Sequence, residues 1–167
     1  MATAAHPPLE IATELLYREA ALLDDQRWDD WLGLFFEDCE FWIPTWRNES
    51  EFISDPKREV SLIYYSRRVG LEDRVDRVRS GRSPASAPPL RTLHTVNNIV
   101  CVESTPDRIA VRSKFVVYSF WQRRKETRTL FGHYEHELCK RDRWGIRRKK
   151  ILLLNDYIDS VVDFYLL

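Results

Sequence analysis

The sequence predicts an α+β domain in which two or three helices pack on one face of a curved, mainly antiparallel sheet. The first third of the chain carries apolar residues at helical spacing, whereas the part after Arg91 alternates apolar and polar residues. Helices followed by consecutive long strands are typical of this fold class. The 167 residues, 44% of them hydrophobic, suit a single domain with a sizeable core. We therefore expect one domain over residues 1–167, with residues 1–8 as a flexible tail.

Two helices are expected at the N-terminus. The first is predicted from about Leu9 to Leu23, because apolar residues recur there every three or four positions. Asp24 or Asp25 is expected to cap the second helix, since a carboxylate there accepts hydrogen bonds from free amide groups. The apolar stripe of this second helix consists of Trp28, Trp31, Leu32 and Phe35.

The middle of the chain is less regular. A short strand is predicted from Cys39 to Ile43, where Pro44 ends it. Residues Val60 to Arg68 are compatible with a helix or a strand, and we favour the helix. Apolar residues at helical spacing predict another helix from Gly70 to Arg79, and the segment Ser80 to Pro89 is rich in proline and serine, as loops are.

Four strands are predicted in the second half. Their bounds are Thr95 to Glu103, Arg108 to Trp121, Thr127 to Cys139, and Trp144 to Leu154. In the second of them, alternation places one set of side chains on the core face, and the other face also becomes apolar at Val116, Tyr118 and Phe120. The core-facing set is Ile109, Val111, Phe115, Val117 and Trp121. A polar, glycine-bearing turn at residues 141–145 joins the last two strands as a hairpin.

The charges are balanced in sum but segregated along the chain. Lysine plus arginine and aspartate plus glutamate both number 26, so the chain has no overall positive field for nucleic acid or an anionic membrane. Residues 1–59 carry a net charge of −9, and residues 108–150 carry +10. Two interpretations stay open: solvated strand faces, or acidic and basic regions that meet each other or neighbouring subunits.

Metal and nucleotide motifs are not found in the sequence. Cys39, Cys101 and Cys139 form no CxxC pair, which indicates reduced thiols and a cytoplasmic protein. His133 and His136 are three residues apart, a spacing that places them on opposite faces of a strand. No window approaches the ~18 consecutive apolar residues of a transmembrane helix. We therefore expect no metal in this chain and no membrane or nucleic-acid partner.

One acid–base site is conceivable around His94. Tyr64, Tyr65, Asp73 and Asp156 are candidates to converge on it, and such a group in an apolar pocket supports isomerase or dehydratase chemistry. The alternative is a partly buried histidine whose hydrogen bonds are satisfied across a subunit contact.

Several short segments together resemble one protein family. The sequence is similar, from about residue 9 to its end, to the small (β) subunits of bacterial aromatic-ring-hydroxylating dioxygenases, most of all the benzoate and anthranilate group. The segments that carry the resemblance are Asp55–Glu59, Ser61–Tyr65, Gly70–Arg74, Arg91–His94 and Leu154–Asp156, together with Leu16–Glu19, Asp24 and Trp28 near the start.

This resemblance implies a cone-shaped barrel of the ketosteroid isomerase and scytalone dehydratase type. It also implies a structural subunit without catalytic residues or cofactors of its own. The Rieske [2Fe–2S] cluster and mononuclear Fe(II) are then expected in a catalytic α subunit, within an α3β3 hexamer that receives electrons from NADH through a reductase.

The segments that carry the resemblance also supply candidates for the contact with α, since charged and aromatic residues in irregular segments are typical of interfaces. The candidates are Arg58, Tyr64, Tyr65, Arg67, Glu72, Asp73, Arg74, Arg91 and His94. The apolar end of the chain, Val161 to Leu167, is expected to dock, and we interpret it as a sign of oligomerisation.

Overall fold

The computed structural model describes residues 7–81, 88–155 and 162–167, which form three helices, six strands and a 3-10 turn. The helices are α1 (Pro8–Asp24), α2 (Trp28–Leu32) and α3 (Val69–Arg79). The strands are β1 (Phe35–Ile43), β2 (Ile63–Tyr65), β3 (Arg91–Ser104), β4 (Arg108–Trp121), β5 (Glu126–Lys140) and β6 (Trp144–Leu153), and the 3-10 turn covers Phe164–Leu166.

The six strands form one mixed sheet in the order β2-β1-β6-β5-β4-β3. Only β1 and β6 run parallel, and every other neighbouring pair in this sheet of described residues is antiparallel. Irregular pairing between Asn97 and Val100 interrupts β3, and such bulges bend and twist a strand. The predicted α+β class with a mainly antiparallel sheet is confirmed. The sheet ends at β2 and β3, so it does not close into a complete barrel.

Helix α1 covers the inner face of the sheet and lies mainly against β3. Pro8 occupies the first turn, where its fixed φ suits a helix and its missing N–H is not needed. The assignment of Pro8 to a flexible tail is therefore wrong, and residues 1–6 of that prediction lie outside the described residues. None of the described helices is both long and apolar enough to cross a bilayer.

The long strands agree with the alternation seen in the sequence. Strand β4 has the predicted bounds, and its side chains Ile109, Val111, Phe115 and Val117 are all buried in the core. Strand β3 begins earlier than predicted, at Arg91, because its first residues pair in register with the end of β4.

The second helix is shorter than predicted. α2 ends at Leu32, and Phe35 already begins β1, so the strand predicted from Cys39 starts four residues earlier. Phe35 still packs on Trp31, with ring centroids 5.0 Å apart. The predicted cap is also wrong, because Arg27 occupies the N-cap position and no side chain caps the helix.

The segment from Val60 to Arg68 is not a helix. Its centre forms β2, which pairs antiparallel with the end of β1, so Phe41 lies opposite Tyr65 and Ile43 opposite Ile63. Pairing with a strand distant in sequence outweighs the local preference here. The helix predicted from Gly70 is confirmed as α3, whereas most of the predicted Ser80–Pro89 loop lies outside the described residues.

The C-terminal residues 162–167 dock into the core of their own chain. All six are buried, and the Asp163 carboxylate caps the 3-10 turn by accepting a hydrogen bond from the Phe164 amide. The predicted docking is confirmed for these residues. Because they are buried within the same chain, their apolar character is not an argument for an interface.

Candidate functional site

The histidine pair of β5 is split across the sheet, as predicted. His136 is buried on the inner face, whereas His133 lies on the outer face. Within residues 7–81, 88–155 and 162–167, no group of three histidine, cysteine or carboxylate side chains could hold a metal ion.

A buried cluster of charged side chains lies between α1 and the sheet instead. One carboxylate oxygen of Glu19 accepts a 2.8 Å hydrogen bond from the Lys149 ammonium, and the other lies 3.2 Å from His136 Nε2. The Trp31 indole N–H also points at Glu19, at 3.4 Å. Lys149 donates a second hydrogen bond, 3.1 Å long, to the backbone oxygen of Leu167. The cluster thereby joins α1, β5, β6 and the C-terminal segment.

The electrostatics of this cluster favour a charged Glu19–Lys149 pair beside a neutral histidine. Burial by itself would raise the pKa of Glu19, but Lys149 and His136 outweigh it and lower that pKa to about 2. Burial lowers the pKa of His136 below 6.5, and it also lowers the pKa of Lys149 although Glu19 opposes this. The ammonium lies 4.4 Å from the centre of the Tyr134 ring, whose negative face adds stabilisation.

Acidification is therefore expected to weaken the fold in two stages. Both Glu19 and His136 have pKa values below their unfolded values of 4.5 and 6.5, so the unfolded chain binds more protons as the pH falls. Stability should decrease from pH 6.5 downwards, and decrease further between 4.5 and about 2. Only the raised pKa of Asp163, among the buried carboxyls described, acts in the opposite sense.

Urea unfolding at a series of pH values measures this dependence. In the variant His136→Gln the stage that begins at pH 6.5 should disappear, while the stage below 4.5 should persist. An unfolding free energy that stays constant between neutral pH and pH 4 in the unmodified chain contradicts the expected sign.

His94 has a different partner from those predicted. Its Nδ1 lies 2.6 Å from the Asp24 carboxylate, which also accepts hydrogen bonds from the His94 amide and the Thr92 hydroxyl. Asp24 thus fastens the end of α1 to the start of the edge strand β3. These contacts lower the pKa of Asp24, although its burial opposes the shift.

The other residues proposed to converge on His94 lie elsewhere. The Tyr64 hydroxyl faces Glu40 at 3.5 Å, and the Tyr65 hydroxyl accepts a 2.7 Å hydrogen bond from Arg74. Asp73 is exposed on α3, and Asp156 lies outside the described residues. The prediction of a site built from these residues is wrong for the three that are described.

The space around the His94 side chain is closed. No water-sized sphere fits between His94, Lys149 and their apolar neighbours. His94 Nε2 faces this space without a hydrogen-bond partner among the described residues. An acid–base pair without room for a substrate does not support turnover, so this geometry disfavours an independent enzyme that uses His94.

The nine interface candidates divide by exposure. Arg58, Arg67, Asp73 and Arg91 are exposed. The half-buried candidates make internal contacts, and His94 is buried, which leaves its side chain unavailable to a partner. The half-buried candidates are Tyr64, Tyr65, Glu72 and Arg74.

Sequence reasoning missed three apolar residues in the same region. Val60, Leu62 and Val69 are 83%, 42% and 56% exposed, next to the exposed candidates. The irregular hydrophobic pattern of residues 60–69 is the signal that could have found them, because it fits neither a buried strand nor an amphipathic helix. Clustered exposed apolar residues mark interaction surfaces.

The fold and this site define a class: an α+β cone with a buried, charge-paired cluster under α1 and with exposed apolar residues that suit an interaction surface. The profile of the ring-hydroxylating β-subunit family matches residues 18–160. The chain belongs to this family of ring-hydroxylating β subunits.

Individual relatives agree with this assignment. The chain is 38% identical to the benzoate 1,2-dioxygenase β subunit of Acinetobacter baylyi, over 94% of this chain and 92% of that one. It is 41% identical to the 2-halobenzoate 1,2-dioxygenase small subunit of Burkholderia cepacia, over 90% of both chains. The solved benzoate 1,2-dioxygenase β subunit of Burkholderia mallei is 34% identical, with a TM-score of 0.77 over 93% of this chain and 95% of that one.

A more distant structure shares only the fold. A hexachlorocyclohexane dehydrochlorinase superposes with a TM-score of 0.63 over 93% of this chain and 90% of the other, at 13% identity. The predicted relation to cone folds that elsewhere hold enzymes is thus confirmed.

Proposed function

We propose that this chain is the structural β subunit of a dioxygenase that hydroxylates the ring of a benzoate-like aromatic acid. The similarity to β subunits of benzoate and 2-halobenzoate dioxygenases, over at least 90% of each chain, carries this proposal. The lack of room for a substrate beside His94 supports it, since the acid–base pair at that position then serves the fold and not turnover.

The catalytic centres then belong to a partner α subunit. A Rieske [2Fe–2S] cluster needs two cysteines and two histidines, and a mononuclear Fe(II) site needs two histidines and a carboxylate. We place both in α, with α3β3 stoichiometry, electron supply from NADH through a reductase, and a cytoplasmic location.

The proposed surface for α is centred on residues 58–69. Exposed Val60, Leu62 and Val69 supply apolar contact, and the exposed Arg58 and Arg67 supply charge. Arginine beside apolar residues is typical of interface centres. Tyr65 and Arg74 serve this surface indirectly, because their mutual hydrogen bond fixes β2 against α3.

Co-expression with a tagged α subunit of the benzoate-dioxygenase type tests the function. We expect the chain to copurify in equal amounts, to give a complex with the mass of an α3β3 hexamer, and to support benzoate-dependent oxygen uptake in the presence of a reductase. Iron should be found in the fractions that contain α, and the chain purified alone should contain no iron. Stoichiometric iron in the isolated chain, or an α subunit fully active and assembled without it, contradicts the proposal.

The variants Val60→Asp and Arg67→Ala are expected to weaken copurification with α without lowering the melting temperature of the isolated chain. The first variant places a carboxylate at an exposed apolar position, and the second removes an exposed guanidinium. Loss of a hot-spot side chain weakens binding by roughly 2 kcal/mol or more. Lys57→Ala, a change of an exposed neighbour, is the matched control and should copurify normally. Equal recovery of all three variants contradicts the placement of the surface.

A further inference from the structure

The closed space beside His94 has the walls of a small ligand site. It is enclosed by α1 and by strands β3, β5 and β6. Its apolar lining consists of Leu16, Ala20, Leu23, Val96 and Tyr134. Glu19 and Lys149 form a charged end, where the carboxylate and the ammonium already bind each other. An apolar molecule with one polar group matches such a lining.

The polar atom left for that group is His94 Nε2. The His94 side chain is 1% exposed, and Nε2 has no hydrogen-bond partner among the described residues. Three other buried side-chain atoms in the described part of the chain also lack a partner, but their residues do not line this space. A buried polar atom without a partner is costly, so a ligand that supplies the missing partner gains free energy.

Asp24 determines which kind of partner His94 takes. Its carboxylate only accepts hydrogen bonds, and it lies 2.6 Å from His94 Nδ1. The same carboxylate accepts hydrogen bonds from the His94 amide and the Thr92 hydroxyl, which fix its position. Nδ1 therefore carries the proton, and the neutral ring presents a lone pair at Nε2. The missing partner is a hydrogen-bond donor.

We propose that the space beside His94 is a latent ligand site for a small apolar molecule with one hydroxyl group, and that the side chains of Leu16 and Leu23 keep it shut. The hydroxyl donates to His94 Nε2, and the apolar body takes the place of part of a leucine side chain. A cavity made by shortening a large side chain in an apolar core binds molecules as small as benzene. This inference goes beyond the proposed function and does not depend on it, because no α subunit is involved.

Leu23→Ala opens the site, and phenol is the probe. Isothermal calorimetry should show phenol binding at least about tenfold tighter than to the unmodified chain. Leu22→Ala is the matched control, because it shortens a buried leucine of the same helix that does not line the space. It should bind phenol no better than the unmodified chain. Leu16→Ala repeats the measurement on the same wall if circular dichroism shows that Leu23→Ala is not folded.

Toluene separates the hydrogen bond from the cavity, since it has the shape of phenol but no donor. In the double variant Leu23→Ala, His94→Leu the affinity for phenol should fall at least about tenfold, while that for toluene should change by less than about threefold. Equal losses for both ligands, phenol binding by Leu22→Ala as tight as by Leu23→Ala, or no phenol binding by a folded Leu23→Ala or Leu16→Ala variant overturns the proposal. Copurification with α is a separate readout, so each of these results leaves the proposed function to its own test.

Discussion

Replacing Glu19 with glutamine is expected to lower the free energy of unfolding by about 3–5 kcal/mol. The substitution keeps the shape of the side chain but leaves the Lys149 ammonium, which is only 1% exposed, without its counter-charge. A buried charge without a partner costs several kcal/mol because no water replaces the lost interaction. Denaturant titrations followed by tryptophan fluorescence measure the loss.

Two further variants show whether the unpaired charge is the cause. Glu14→Gln makes the same chemical change on the exposed side of α1 and should alter stability by less than about 0.5 kcal/mol. The double variant Glu19→Gln, Lys149→Met removes both charges and should recover much of the loss, since apolar groups often replace a buried ion pair without cost. If the double variant is as unstable as Glu19→Gln alone, the unpaired ammonium is not the cause.

The long strands could be predicted because alternation along a strand is a local property. In β4 every second residue faces the core, so the sequence alone assigns each side chain to a face. Strand β2 could not be predicted in this way. It has only three residues, and its conformation depends on pairing with β1, about twenty positions earlier.

The buried charge cluster was missed because its members are far apart in sequence, Glu19 and Lys149 being 130 residues apart. A signal was nevertheless present. Glu19 lies three residues after Leu16 on the apolar side of α1, and Lys149 lies two residues before Ile151 on the inward face of β6. A charged residue in phase with core positions indicates a buried partner. The position of a charged residue on the core-facing side does not identify its partner. The two residues come into contact only because α1 packs on the sheet.

The partner of His94 could not be identified from local sequence either. The sequence indicated a histidine at the start of a strand and an acidic partner, but the aspartate that it meets is Asp24, at the end of α1. The local sequence predicts Asp24 or Asp25 as a helix cap, because cap residues are recognised from their immediate neighbours in the chain. The structure uses the same carboxylate to bind the edge strand, which no local pattern specifies.

Truncation of Trp31 to alanine is expected to destabilise the chain by about 3–5 kcal/mol. Its indole is fully buried at the point where α2, β1 and the C-terminal segment meet. The ring stacks on Phe164 with centroids 4.9 Å apart and contacts Phe35 at 5.0 Å. Removing it leaves a cavity among these rings, and Glu19 loses a hydrogen-bond donor. Tyr17→Ala, an aromatic truncation at an exposed position of α1, is the control and should cost far less.

Truncating Phe164, the ring that stacks on Trp31, shows which contact accounts for the lost stability. Phe164→Ala removes the ring of the C-terminal segment that touches Trp31, and its cost should lie in the same range of about 3–5 kcal/mol. Because the two rings share one contact, the double variant should cost less than the sum of the single ones, by about 0.5–3 kcal/mol. Additive losses would mean that Trp31 stabilises α2 and β1 independently of the C-terminal segment. A coupled loss would show that the stack between Trp31 and Phe164 is what fastens residues 162–167 to α2.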